Sequence, residues 1–343
     1  MNNDLFTAIP DIKNSDELNL TAKKIICDKL SSILGQIATQ LKTDLTHEIG
    51  ALRATSSGLP NPALFHYYFK LKDSIAKGNL DDILDTISLI ANESPSVKRS
   101  NPNYPDVLSA INSEWEKNLL SDSVRKDSIS EFGMENKFEL VRPLFNEQLI
   151  HQTTYIITAL NILKEVDPTH YYSAIDKLIA IKVFEGTVRG FSFQAAYGNI
   201  YIRIPEDKTT SVAYYLEHIV HECAHQHLFA LQLLDPVVLN DKTQLFNAPI
   251  RKQQRPMDGI FHACFVLARM VRCFSKTHDH LGSDYNSDFL GRINGWFEHS
   301  YNTVRGLFNI ALVCQHALLK PLCSKDFRHC VNIRAIKHIF ITH

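Results

Sequence analysis

The chain has no apolar run approaching the roughly 18 residues that a membrane-spanning helix needs, which argues against an integral helical membrane protein. It has no excess of either charge. Lys and Arg number 36 against 37 Asp and Glu, and a net charge of −1 argues against a general affinity for nucleic acid or anionic membrane. Cysteine is sparse. The 7 cysteines are odd in number, scattered, and form no CxxC pair, so neither a disulfide framework nor a cysteine zinc site is expected. The opening residues, MNNDLFTAIPDIKN, lack the basic and apolar regions of a secretory signal. No internal period or low-complexity tract recurs, which excludes solenoids and long linkers. What is present is an ordinary globular balance, 45% apolar and 21% charged, over 343 residues. The expectation is a cytoplasmic protein with reduced thiols.

The apolar spacing predicts a mainly α protein with a minor β component (α+β). Leu18, Ala22, Ile25, Ile26, Leu30, Ile33, Leu34, Ile37 and Leu41 recur at helical spacing from Ser15 to about His47, with Ser15 or Asp16 as the cap. SSGLPNP (56–62) is punctuation, and a helix pair follows at Pro62–Ala76 and Leu80–Ile90, broken by Gly78. Residues 92–106 form the most polar, Pro/Ser/Asn-rich window and read as an exposed loop. Phe138–Phe145 reads as a strand and Gln148–Leu163 as a helix. Alternating Ile200, Ile202 and Ile204 predict a strand or hairpin over 189–204, turning at Tyr197-Gly198-Asn199. Long helices are predicted from Thr210 or Ser211 to Leu234, from Pro256 to about Phe274, and from Asp288 to Leu319. Two regions are expected: a helical N-terminal part over 1–135, suited to peptide binding, and a metal-binding catalytic part over 136–343.

The chemistry concentrates in His221-Glu222-Cys223-Ala224-His225. Histidines at i and i+4 share one helix face, so both imidazoles reach one divalent metal. Glu222 sits beside them as a partner or base. The bland account is a pair of packed core histidines in a chain with 16 of them, and His218 and His227 crowd the same stretch. The third ligand decides the chemistry. Leu228 and Leu231 stand where a metzincin needs glycine and histidine, so that class fails. No glutamate occurs from Gln226 to Phe297, so a thermolysin-like ligand is missing. Asp235, Asp241, Asp258 and His262 remain. His262, on a helix lined by Gly259 and Ala263 that allow close approach, is the first choice and Asp258 the second. Between the two helices, Ala248-Pro249-Ile250-Arg251-Lys252-Gln253-Gln254-Arg255-Pro256 offers two guanidinium forks suited to carboxylates, or else a solvated basic turn.

Taken in order, HECAH, LxxLxLLDP, APIRxxxRP and GIFHAxFVLAR resemble the HExxH-type iron and 2-oxoglutarate-dependent peptide β-hydroxylases. The resemblance covers about Thr210 to Met270. It implies that His221, His225 and His262 bind Fe(II), that Arg251 and Arg255 hold 2-oxoglutarate, and that dioxygen is consumed. It further implies a ribosomally made precursor peptide as partner, hydroxylated at a side-chain β-carbon. The sequence departs from the family at Ile250 and Gln253-Gln254, where an aromatic residue and Asp-Pro are often found. Two other readings stay open: a zinc peptidase in which Glu222 activates a metal-bound water, and a non-enzymatic helical peptide binder.

Overall fold

A computed structural model describes residues 10–53, 58–110, 113–120, 141–175, 177–207, 211–241, 243–247 and 254–281. The expected helix at Asp288–Leu319 lies outside them. The fold is mainly α with a minor β component. Among the described residues, no helix is long and apolar enough to cross a membrane, and the four cysteines form no disulfide.

The chain divides into two compact units, each assembled from separate stretches. The first comprises Met1–Leu18, Thr158–Ala174 and Asp207–His343; the second, Asn19–Ile157 and Ile175–Glu206.

Helix α1 (Ile12–Leu41) begins earlier than the periodicity suggested. Its first turn is held by Asp11, whose carboxylate accepts from the Asn14 amide at 2.8 Å. Ser15 is buried instead and shares a hydrogen bond with Ser173 Oγ at 2.8 Å. The helix stops at Leu41 because Lys42 turns left-handed, with φ 52°. A separate helix, α2 (Thr46–Arg53), follows.

In the second unit, β1 (Leu59–Pro60) leads to Asn61, which caps α3 (Pro62–Lys77) by accepting from Ala63 N. Gly78, at φ 67°, ends α3, and α4 (Leu80–Ala91) starts under the cap of Asn79. The polar window is only partly exposed, with Pro95 and Pro105 buried, and Ser96–Val97 forms β2 against β1. A five-stranded sheet carries the unit's core, in the order β3 (Asp106–Ser109), β5 (Ala180–Glu185), β7 (Asn199–Arg203) and β6 (Gly190–Phe191), with β4 (Arg142–Pro143) paired to β5. β3, β5 and β7 are mutually parallel, while β6 is antiparallel to β7. The expected strand at Phe138–Phe145 is thus reduced to β4 among its described residues. Gly198, at φ 101°, makes the predicted turn into β7, and an added Cβ there would lie 3.0 Å from Ile179 Cγ1. Residues 114–120 form α5, whose Glu116 is buried and paired with Lys182 Nζ at 3.0 Å. The Tyr201 hydroxyl donates to the same carboxylate at 2.8 Å.

In the first unit, the C-terminal part of α6 (Asn146–Val166), α7 (Pro168–Ile175), α8 (Ser211–Leu234) and α9 (Met257–Leu281) are helical, and α8 packs against α9. α8 matches its predicted bounds. α9 continues past the predicted Phe274, and Pro256 belongs to β9 (Arg255–Pro256), which pairs with β8 (Leu245–Phe246).

Candidate metal centre

Most of α8 is enclosed: Leu216, Ile219, Val220, Cys223, Ala224, Leu228 and Leu231 are buried. His221, His225, Phe229 and Gln232 lie at i, i+4, i+8 and i+11, one stripe along a helix of 3.6 residues per turn, and all four are only partly buried. α9 faces this stripe. Gly259 and Ala263 flank His262, but a Cβ added at Gly259 would meet nothing within 4 Å, so that glycine does not set the approach of the two helices as the sequence suggested.

The structure brings the three predicted histidines together. His225 Nε2 lies 3.2 Å from His221 Nε2, and His225 Nδ1 lies 3.3 Å from His262 Nδ1. The His225 and His262 rings stack at 5.5 Å between centroids. Phe229 stands beside both, at 6.2 Å from His225 and 5.6 Å from His262. Two residues unmarked in the sequence reading complete the cluster. Met270 Sδ is 3.3 Å from His221 Nδ1, and Gln232 Nε2 is 3.0 Å from His262 Nε2 while donating to Asp258 Oδ1 at 2.9 Å. Both were findable by spacing. Gln232 is two turns beyond His225, and Met270 two turns beyond His262.

The rings are held neutral. Burial lowers the His221 pKa to about 4. Burial also takes His225 well below the usual histidine value, with the neighbouring His221 and His262 adding to it. His262 is lowered by burial, against the opposing pull of the Asp258 carboxylate. Neutral imidazole is the form that ligates a metal.

The donor set suits a divalent transition metal. Two nitrogens bound to one ion at about 2.0–2.1 Å would stand about 3.0–3.4 Å apart, which is the separation of the His221 and His225 Nε2 atoms. The third ring is placed differently. His225 turns opposite nitrogens toward its two neighbours, so the rings form a chain rather than a closed triangle. Accordingly, no group of three His, Cys, Asp or Glu side chains among the described residues is arranged to hold a metal ion as it stands. Loading all three histidines on one ion requires a ring to turn.

The remaining predicted residues are distributed around this cluster. Glu222 is 3% exposed, one position round the helix from His221. Arg255 is partly buried in β9, immediately before α9, and Arg251 lies outside the described residues. Asp241 is exposed and accepts from Thr243 N and Oγ1 at 2.8 and 2.7 Å in a local turn. Asp235 sits at the end of α8. The crowding histidines prove separate: His218 stacks on Tyr214 at 4.0 Å, and His227 on Phe265 at 5.7 Å. No protein-family model matches the chain, and no curated protein matches it by sequence.

Proposed function

We propose that the protein is an Fe(II)- and 2-oxoglutarate-dependent oxygenase that hydroxylates a side-chain β-carbon in a ribosomally made peptide. The observation that carries this reading is the approach of His262, from a second helix, to the HECAH pair. The order of motifs from Thr210 to Met270 supplies the choice of chemistry.

In this reading His221, His225 and His262 hold the iron, which when loaded supplies dioxygen activation coupled to oxidative decarboxylation of 2-oxoglutarate. The protein's own part is binding, orientation and exclusion of water. Neutral imidazoles offer lone pairs at pH 7 without competition from protons. Arg255, at the threshold of α9, offers a fork for a carboxylate of the cosubstrate, and Arg251 is assigned the same task. Phe229 and the apolar flanks of α8 shield the cluster from solvent.

Incubation with Fe(II), 2-oxoglutarate, dioxygen and a candidate precursor peptide tests the proposal by intact mass. The expected product is the whole peptide with one added oxygen, formed with succinate. Peptide fragments formed with zinc in the absence of 2-oxoglutarate would overturn it in favour of the peptidase.

A further inference from the structure

The contacts around His262 have a direction. A carboxylate only accepts hydrogen bonds, so Asp258 forces the Gln232 amide to present its nitrogen, at 2.9 Å. That nitrogen has two hydrogens and no accepting lone pair, and its second partner is His262 Nε2 at 3.0 Å. Nε2 of His262 therefore accepts, and the single proton of the neutral ring sits on Nδ1. From there one assignment satisfies every contact. His262 Nδ1–H donates to His225 Nδ1 at 3.3 Å, and His225 Nε2–H donates to His221 Nε2 at 3.2 Å. His221 Nδ1–H then points at Met270 Sδ at 3.3 Å, a weak acceptor. The chain starts at a charged group and ends at a nearly neutral one, so its direction is set at the Asp258 end.

We propose that Asp258 and Gln232 form a latch on His262, fixing its ring orientation and tautomer in the metal-free site and yielding one hydrogen bond when the ring becomes a ligand. The proposal rests on the metal-site reading above. Ligation through Nδ1 moves the ring proton to Nε2. That N–H would then face the amide nitrogen, so Gln232 must turn its oxygen inward to accept it. The turned oxygen confronts the Asp258 carboxylate, and the Gln232–Asp258 bond is lost. Each ring keeps one proton throughout, so no charge changes; only proton positions and one amide do. Gln232 and Asp258 are thus positioning residues whose lost hydrogen bond raises the threshold for loading an ion.

The test uses the full chain and Asp258→Asn, whose amide satisfies either orientation of Gln232 at the same size. Long-range ¹H–¹⁵N spectra of the metal-free protein report imidazole tautomers directly. The expected result is the Nδ1–H form of His262 in the unsubstituted protein and release to the Nε2–H form in Asp258→Asn. Gln232→Leu, a second variant, should release it too. Titration with cobalt(II), followed by ligand-field absorption, should show Gln232→Leu, which keeps the Asp258 charge, binding about tenfold more tightly, the size of one hydrogen bond to a charged group. An unaltered tautomer in both variants, or weaker cobalt binding by Gln232→Leu, would overturn the latch. His225→Ala separates the two ideas. Loss of cobalt there with no gain in Gln232→Leu overturns the latch alone, whereas undiminished cobalt affinity in His225→Ala overturns the metal-site reading and the latch together.

Discussion

At the scale of single residues, the three imidazoles carry the most consequential expectations. His221→Ala, His225→Ala and His262→Ala should each lose tight Fe(II) binding, since two protein ligands hold iron poorly. Metal content after anaerobic loading and desalting checks this. Wild-type iron in His262→Ala would remove that residue from the ligand set and turn attention to Asp258. The same rings predict a pH dependence. His221 is lowered to about 4 in the fold against an ordinary value of 6.5, and His225 and His262 move the same way. His66, also lowered to about 4 by burial, adds to them. Between pH 6.5 and 4 the unfolded chain takes up protons that the folded rings refuse, so metal-free stability falls as pH falls through that window. Thermal melts at pH 7 and pH 5 should show the loss, and His221→Leu should lessen it. Equal slopes in the two proteins would contradict the assignment. Arg255→Ala should weaken 2-oxoglutarate binding by about 2 kcal/mol, the lower end for a charge pair because the side chain is only partly buried. Iron binding should survive, as a guanidinium cannot ligate a cation. Anaerobic titration of the iron-loaded variant measures it, and undiminished affinity would leave the loop a solvated turn.

At the scale of elements, caps and left-handed residues decide where helices begin and end. Asn61 does three things at once. Its side chain accepts from Ala63 N at 3.0 Å, and its amide donates to Glu93 Oε2 at 2.9 Å and to Ser94 O at 2.8 Å. Asn61→Ala should therefore cost about 1–2 kcal/mol, the upper part of the range for lost caps. Urea unfolding is the measurement, and a shift below about 0.5 kcal/mol would show that water replaces the cap. The helix pair around Gly78 was legible because Pro, Asn and Gly are explicit punctuation. β5 was not. Ala180–Phe184 are all buried, so the strand shows no in–out alternation to read, and its pairing on both edges sets it. α7 was missed as well, a helix of 8 residues too short for periodicity to declare itself.

At the scale of the whole molecule, buried charges tie distant stretches together within each unit. In the first, Asp167 joins the α6–α7 junction to α9. Its carboxylate accepts from Arg272 Nε at 2.8 Å and from Lys276 Nζ at 3.0 Å. Burial would push its pKa up, but the hydrogen bonds from Arg272 and Lys276 outweigh that and hold it below the usual carboxylate range. The stability it contributes is present above about pH 3.8 and lost as pH falls below it. Asp167→Asn should destabilise by about 2–3 kcal/mol, less than a fully buried pair because both cations keep some access to water. Chemical denaturation at pH 7 tests this, and a change under about 0.5 kcal/mol would mean that water serves the two cations equally well. In the second unit, Glu116 with Lys182, Asn199 and Tyr201 plays the same part between α5 and the sheet.

Local chemistry was enough to determine the mainly helical class, the bounds of α8 and the shared face of His221 and His225. Each follows from spacing along one helix, a short-range property of the chain. The selection of His262 rested on its residue type and small neighbours. Its distance from His225 depends on how α8 and α9 pack, which no spacing states. Tertiary structure alone buried Glu222, set His218 and His227 against aromatic rings, and placed Met270, Gln232 and Asp258 around the histidines. Those outcomes hinge on which ring nitrogen meets which neighbour, and only the close packing of two helix faces decides that.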